Sequence, residues 1–184
     1  MKTKNLEIRQ LTQLTKTEDN VIEGYAVKFG TQSRDLGGFI ETVNRDAFDG
    51  VDLSDVRMFL QHDSSKLLAR SASGTLELNI DDVGLHFRAT LPNTTLGNDA
   101  LEMIKRGDLN QCSFGFTVLE DSWTKGEGIM YRSIDKVGQL FEISLVAIPA
   151  YDDTDVSVAS RSLENVQNEL RAKQLSLELD LMGL

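Results

Sequence analysis

The chain has 184 residues, a net formal charge of −10 at pH 7, two histidines and one cysteine. That length suits one domain with a tail, and 40% hydrophobic against 26% charged residues is the balance of a folded chain rather than a disordered one. A membrane span needs roughly 18 consecutive apolar residues, and even the richest run, Leu140 to Tyr151, contains Glu142 and Ser144, so no membrane partner is expected. No apolar segment of a signal peptide follows the basic start Met1-Lys-Thr-Lys, which predicts a cytoplasmic protein. Cys112 alone forms no internal disulfide, and neither Cys-x-x-Cys nor paired-His spacing points to a metal. The acidic balance lacks the clustered Lys and Arg that nucleic acid requires.

In chain order, residues 1–20 read as an edge strand followed by a loop. From Val21 to Ile40, short apolar groups are punctuated by Gly24, Gly30, Gly37 and Gly38, a pattern of short strands joined by turns. Val56 to His62 alternates, with Val56, Met58, Leu60 and His62 on one face. Thr75–Ile80 and Leu85–Leu91 alternate on either side of Asp81-Asp82-Val83-Gly84 and predict a hairpin. Ala100, Leu101 and Ile104 recur at helical spacing, with Asn98 or Thr95 as the expected cap and Gly107 as the stop. Strand periodicity returns at Cys112–Leu119, Ile129–Ile134 and Leu140–Ile148. After Ser160 the spacing of Leu163, Val166, Leu170, Leu177 and Leu181 predicts a helical tail. The fold class is therefore mostly β with helices (α+β), arranged as a closed or partly closed β-barrel with flanking helices.

Three side chains stand out chemically. In Gln111-Cys-Ser-Phe-Gly-Phe-Thr-Val118, alternation puts Cys112, Phe114 and Phe116 in the core and turns Ser113 away from it, beside Gly115, which leaves room for a substrate. Cys112 is correspondingly an inert packing residue. In Leu140-Phe-Glu-Ile-Ser-Leu-Val146, Glu142 and Ser144 lie opposite the apolar face, and an acid in such surroundings needs a partner or water. His62 sits where an apolar strand gives way to a loop. Serine, histidine and glutamate are the parts of an acyl-transfer triad: a hydroxyl that needs a base, an imidazole that accepts and returns the proton, and a carboxylate that sets the tautomer. Each also has a plainer reading. His62 suits a structural strand-end residue bonded to Asp63 or a carbonyl, Ser113 close packing, and Glu142 an ion pair with Arg132 or Lys136. His86, between Leu85 and Phe87, reads as a surface histidine.

Phe59-Leu-Gln-His-Asp63 with Leu67-Leu-Ala-Arg70, Gly84-Leu-His-Phe-Arg-Ala-Thr-Leu-Pro92, Gly107-Asp-Leu-Asn-Gln-Cys-Ser-Phe-Gly-Phe116, and Glu142-Ile-Ser-Leu-Val146 with Pro149-Ala-Tyr151 run in order over roughly residues 20 to 155. As a set they resemble the prohead proteases of tailed bacteriophages, capsid-maturation serine proteases with a fold similar to herpesvirus assemblin. The resemblance implies Ser113 as nucleophile, His62 as general base and Glu142 in the third position, which is acidic in phage enzymes and histidine in the herpesvirus relatives. It implies an assemblin-like barrel over residues 21–159, a tail over 160–184 open to self-processing, and no metal or nucleotide cofactor. The substrate it implies is the scaffold protein, or a scaffold-like segment of the major capsid protein, cut within the assembling prohead in the host cytoplasm. A homodimer follows by analogy with the herpesvirus relatives alone. For the oxyanion donors we assign the turn at Ala150 and Tyr151, whose plainer reading is an exit from the barrel. Two other readings are a catalytically silent assembly factor that binds coat protein or scaffold, and a thiol protease using Cys112, which the alternation disfavours.

Overall fold

The computed structural model describes residues 7–10, 14–18, 20–147, 166–168 and 170–176. Its strands are β1 (Glu7–Gln10), β2 (Leu14–Glu18), β3 (Val21–Lys28), β4 (Phe39–Val43), β5 (Arg57–Leu60), β6 (Asp63–Arg70), β7 (Leu76–Ile80), β8 (Gly84–Thr90), β9 (Gln111–Lys125) and β10 (Met130–Val146), with helix α1 at Thr95–Arg106. One sheet runs β1-β9-β10-β5-β6, with β4 also paired to β10; the other runs β2-β3-β8-β7. Neither sheet closes on itself among the described residues, so the expected barrel closure is not seen. The two sheets instead share one core, in which Ile22 and Phe87 from the smaller sheet join Met58, Phe114, Phe116 and Ile143 from the larger, all fully buried.

β10 is the spine of the larger sheet. Along one edge it pairs antiparallel with β9 over nearly its whole length; along the other it pairs parallel with β4 at Met130–Ile134 and with β5 at Glu142–Leu145. The two strands expected at Ile129–Ile134 and Leu140–Ile148 are thus one, continuous through bulges between Ile134 and Glu142. Each extra residue in a bulge shifts the side-chain alternation, which is why the sequence reads as two strands.

The hairpin expected from Thr75 to Leu91 forms, with Ile80 paired to Leu85. Residues 14–18, expected as loop, form the edge strand β2. α1 is capped by Thr94, whose hydroxyl accepts the Gly97 N–H at 3.3 Å, rather than by Thr95 or Asn98, and it stops at Gly107 in the left-handed conformation (φ 83°). Thr94 stands one position before Thr95 and four before Asn98, both of which lie within the helix itself. The tail is helical at 166–168 and 170–176, and Val166 packs on Phe39 and Met130.

Beside that contact lies a buried ion network. Arg132, 3% exposed, donates from Nη1 to Glu41 Oε2 at 2.9 Å and from Nε to Asp121 Oδ2 at 2.7 Å, with its guanidinium 5.6 Å from the Trp123 ring centroid. It ties β4, β9 and β10 together and is not the partner of Glu142. Removing one member of such a network strands buried charge, so Arg132→Ala is expected to lower the unfolding free energy by about 3–5 kcal/mol, read from denaturant titration.

Candidate active site

His62 is presented by a tight turn. Leu60 of β5 pairs with Asp63 of β6, leaving Gln61 and His62 as a two-residue loop, both with φ of 57°. Two positive φ values are the signature of a type I′ hairpin turn, whose twist matches the flanking strands and which ordinarily uses Asn and Gly. Gln and His in the left-handed region cost roughly 1–3 kcal/mol each, a strain that clusters at functional sites. The Gln61 N–H donates to the Leu145 carbonyl at 2.8 Å and pins the turn against the end of β10.

The start of β6 is shaped by Asp63. Phe59 pairs with Leu67 and the next residue, Leu60, with Asp63, so Ser64, Ser65 and Lys66 have no opposite residue on β5. Asp63 Oδ1 accepts from the Ser65 hydroxyl at 2.6 Å and the Ser65 N–H at 2.9 Å, and Lys66 Nζ lies 3.1 Å from Oδ2. These Ser65 bonds, with Lys66 behind them, hold the Asp63 carboxyl down at about 2.

On β10, Glu142 is 7% exposed and both its oxygens are engaged. Oε1 lies 2.8 Å from His62 Nδ1, and Oε2 accepts from the Ser144 hydroxyl at 2.5 Å. Towards an ionised carboxylate, which only accepts, Nδ1 is the donor in this contact, and in the neutral imidazole Nε2 is then the acceptor. Nε2 is buried and has no hydrogen-bond partner among the described residues. Glu142 lies opposite Gly115 of β9, and a Cβ built on Gly115 would stand 2.7 Å from Oε1. The space beside Gly115, expected to admit a substrate, is therefore filled by the carboxylate.

Ser113 follows from the same register. It is two residues from Gly115 on β9, hence on the face where Glu142 rests, and directly opposite Ser144, at a spacing that puts Cβ atoms about 5 Å apart. The other edge of β9 is covered by β1, with Gln10 opposite Ser113. Both faces of β9 are buried from Cys112 to Thr117, and Ser113 is 1% exposed, so its outward orientation does not bring it to solvent. Cys112 points into the core at 0% exposure; burial pushes its thiol up, the Glu142 charge adds to this, and a thiolate nucleophile is disfavoured. His86 is half-buried on β8, edge-on to Tyr25, in the other sheet. Ala150 and Tyr151 lie outside the described residues.

Sequence reasoning attached no role to Ser144 or Gln61. For Ser144 a signal existed: a buried acid needs a donor, and the hydroxyl two residues along shares its face. Gln61 carried none, because Gln-His is not a turn-forming pair. Among the described residues no group of three His, Cys, Asp or Glu side chains could hold a metal ion, and no helix is long and apolar enough to cross a membrane.

Asp63 gives this hairpin a pH signature. Its carboxyl lies below the ordinary 3.8, so the stabilisation is complete above about pH 4 and is lost as pH falls towards about 2. Thermal unfolding of the parent and Asp63→Asn at stepped pH should show the parent more stable at pH 6 and the gap closing over that acid window; a constant gap would contradict the assignment.

The family description of the caudovirus prohead serine protease matches residues 4–169. No curated protein sequence matches the chain. Among solved structures it is similar to the bacteriophage T4 capsid assembly protease gp21, with a TM-score of 0.52 at 14% identity over 77% of this chain and 97% of that one, a likeness of fold. With the family match running through nearly all of the sequence, the chain belongs to the caudovirus prohead serine proteases.

Proposed function

We propose that the chain is a Ser-His-Glu endopeptidase of prohead maturation in which Ser113 attacks, His62 moves the proton and Glu142 orients the imidazole. The observation that carries this reading is the 2.8 Å contact between His62 Nδ1 and Glu142 Oε1, with Nε2 buried and without a hydrogen-bond partner among the described residues. In the reaction the Ser113 hydroxyl adds to the scissile carbonyl while its proton passes to Nε2. The resulting imidazolium is stabilised by Glu142 and returns the proton to the leaving amine, and water then hydrolyses the acyl-enzyme by the same relay. Ala150 and Tyr151 are the proposed oxyanion donors. Because Ser113 and Nε2 are both buried, a substrate reaches them only after this face opens.

The proposed substrate is the scaffold protein or a scaffold-like segment of the major capsid protein, cut inside the assembling prohead, with self-processing in the tail beyond Ser160. We extend the proposal to an assemblin-like homodimer. The burial of Ser113 favours one other reading, a silent assembly factor that binds coat protein or scaffold without cutting it.

Mass spectrometry after co-expression with the coat protein separates the two. The parent should yield discrete fragments and Ser113→Ala, folded, should yield none; processing that survives in Ser113→Ala removes the serine from the mechanism. Gly115→Ala should drive the carboxylate off its seat and slow fragment formation by about 10²-fold, the scale of a misplacement near 1 Å.

A further inference from the structure

We propose that Ser144 is a positioning residue, holding Glu142 in the single orientation in which Oε1 meets the His62 ring; this rests on the reading of Glu142 as the orienting acid. A glutamate has three rotatable side-chain bonds, and one hydrogen bond at Oε1 leaves its carboxylate free to turn about the last of them. The remaining constraints come from two neighbours. The backbone of β9 at Gly115 forms a wall on one side, close enough that a Cβ there would lie 3.2 Å from Glu142 Cγ as well as 2.7 Å from Oε1. Ser144 supplies the second: its hydroxyl is fully buried, shares the face of Glu142 and meets Oε2 at 2.5 Å. Since the carboxylate only accepts, Ser144 must donate, and a charge-assisted O–H···O⁻ bond is among the stronger side-chain bonds available. Residues two apart on a strand share a face about 7 Å apart, a gap that the length of the Glu142 side chain spans to reach the Ser144 hydroxyl.

The test uses the full chain with Ser144→Ala and Ser144→Thr, reading the low-field proton resonance of His62 Nδ1–H and the rate at which a fluorophosphonate labels Ser113. In Ser144→Ala the resonance should shift or broaden and labelling should fall about tenfold, the weight of one hydrogen bond to a charged group. Ser144→Thr, which keeps the hydroxyl, should restore both. A resonance unchanged in Ser144→Ala overturns the proposal, whatever the labelling does. A resonance that shifts while no variant, parent included, is labelled upholds the hold on Glu142, because the buried Ser113 takes up label only once its face opens, and the protease reading is then decided by the co-expression fragments. Should the alanine chain fail to fold, Ser144→Cys, which retains volume but donates weakly, takes its place with the same outcomes.

Discussion

The hydrogen bond between His62 and Glu142 organises this molecule, because each partner occupies a position that is unfavourable without the other. Glu142 is an acid in a strand whose opposite face is packed with Ile143 and Leu145, both fully buried. His62 sits in the left-handed region, which is uncommon for any residue other than glycine. Polar groups withdrawn from water must be bonded: the contact meets that requirement for Glu142 Oε1 and His62 Nδ1 and Ser144 meets it for Oε2, while Nε2 is left without a partner among the described residues. The contact is prepared by backbone rather than by side chains: a turn without spare residues on one side, and a position without a side chain on the other.

The rest of the larger sheet can be understood as support for that contact. β10 lies between β9 and β5, so the carboxylate and the serines come from two adjacent strands and the imidazole from the tight turn that ends the third. A site built on paired strands keeps its geometry better than one built on loops. Cys112, next to the serine but turned the other way, illustrates how completely orientation decides chemistry: its thiol serves as packing.

Much of this was legible in the residues. Period-two alternation separates Ser113 and Glu142 from the apolar faces of their strands, and the register bears this out. The hairpin at Leu76–Thr90 and α1 carry strong local signals and form close to the expected positions. What was not legible depends on partners distant in sequence. Nothing local announces that Gly115 accommodates a carboxylate rather than a substrate, because Glu142 is brought to it only by the pairing of β9 with β10. The turn at Gln61-His62 lacks turn composition and is imposed by the pairing of its flanks. Residues 14–18 look like loop because an edge strand needs little apolar content when only one neighbour pairs with it. Between Ile134 and Glu142 the alternation breaks, and only the continuous partner β9 reveals a single strand.

That broken stretch divides β10 into two mechanically distinct halves. The half near Arg132 is clamped by buried ions to β4 and β9; the half near Glu142 is clamped by the polar set it carries. Irregular pairing between them lets each half adopt its own alternation, so that Arg132 and Glu142 need not keep step with one another. A frame shift of one residue confined to the functional half would exchange inside for outside, sending the carboxylate into hydrocarbon and a leucine or isoleucine towards the imidazole. The half near Glu142 therefore takes its phase from its own pairing with β9 and β5, beyond the bulges, and not from the ion clamp.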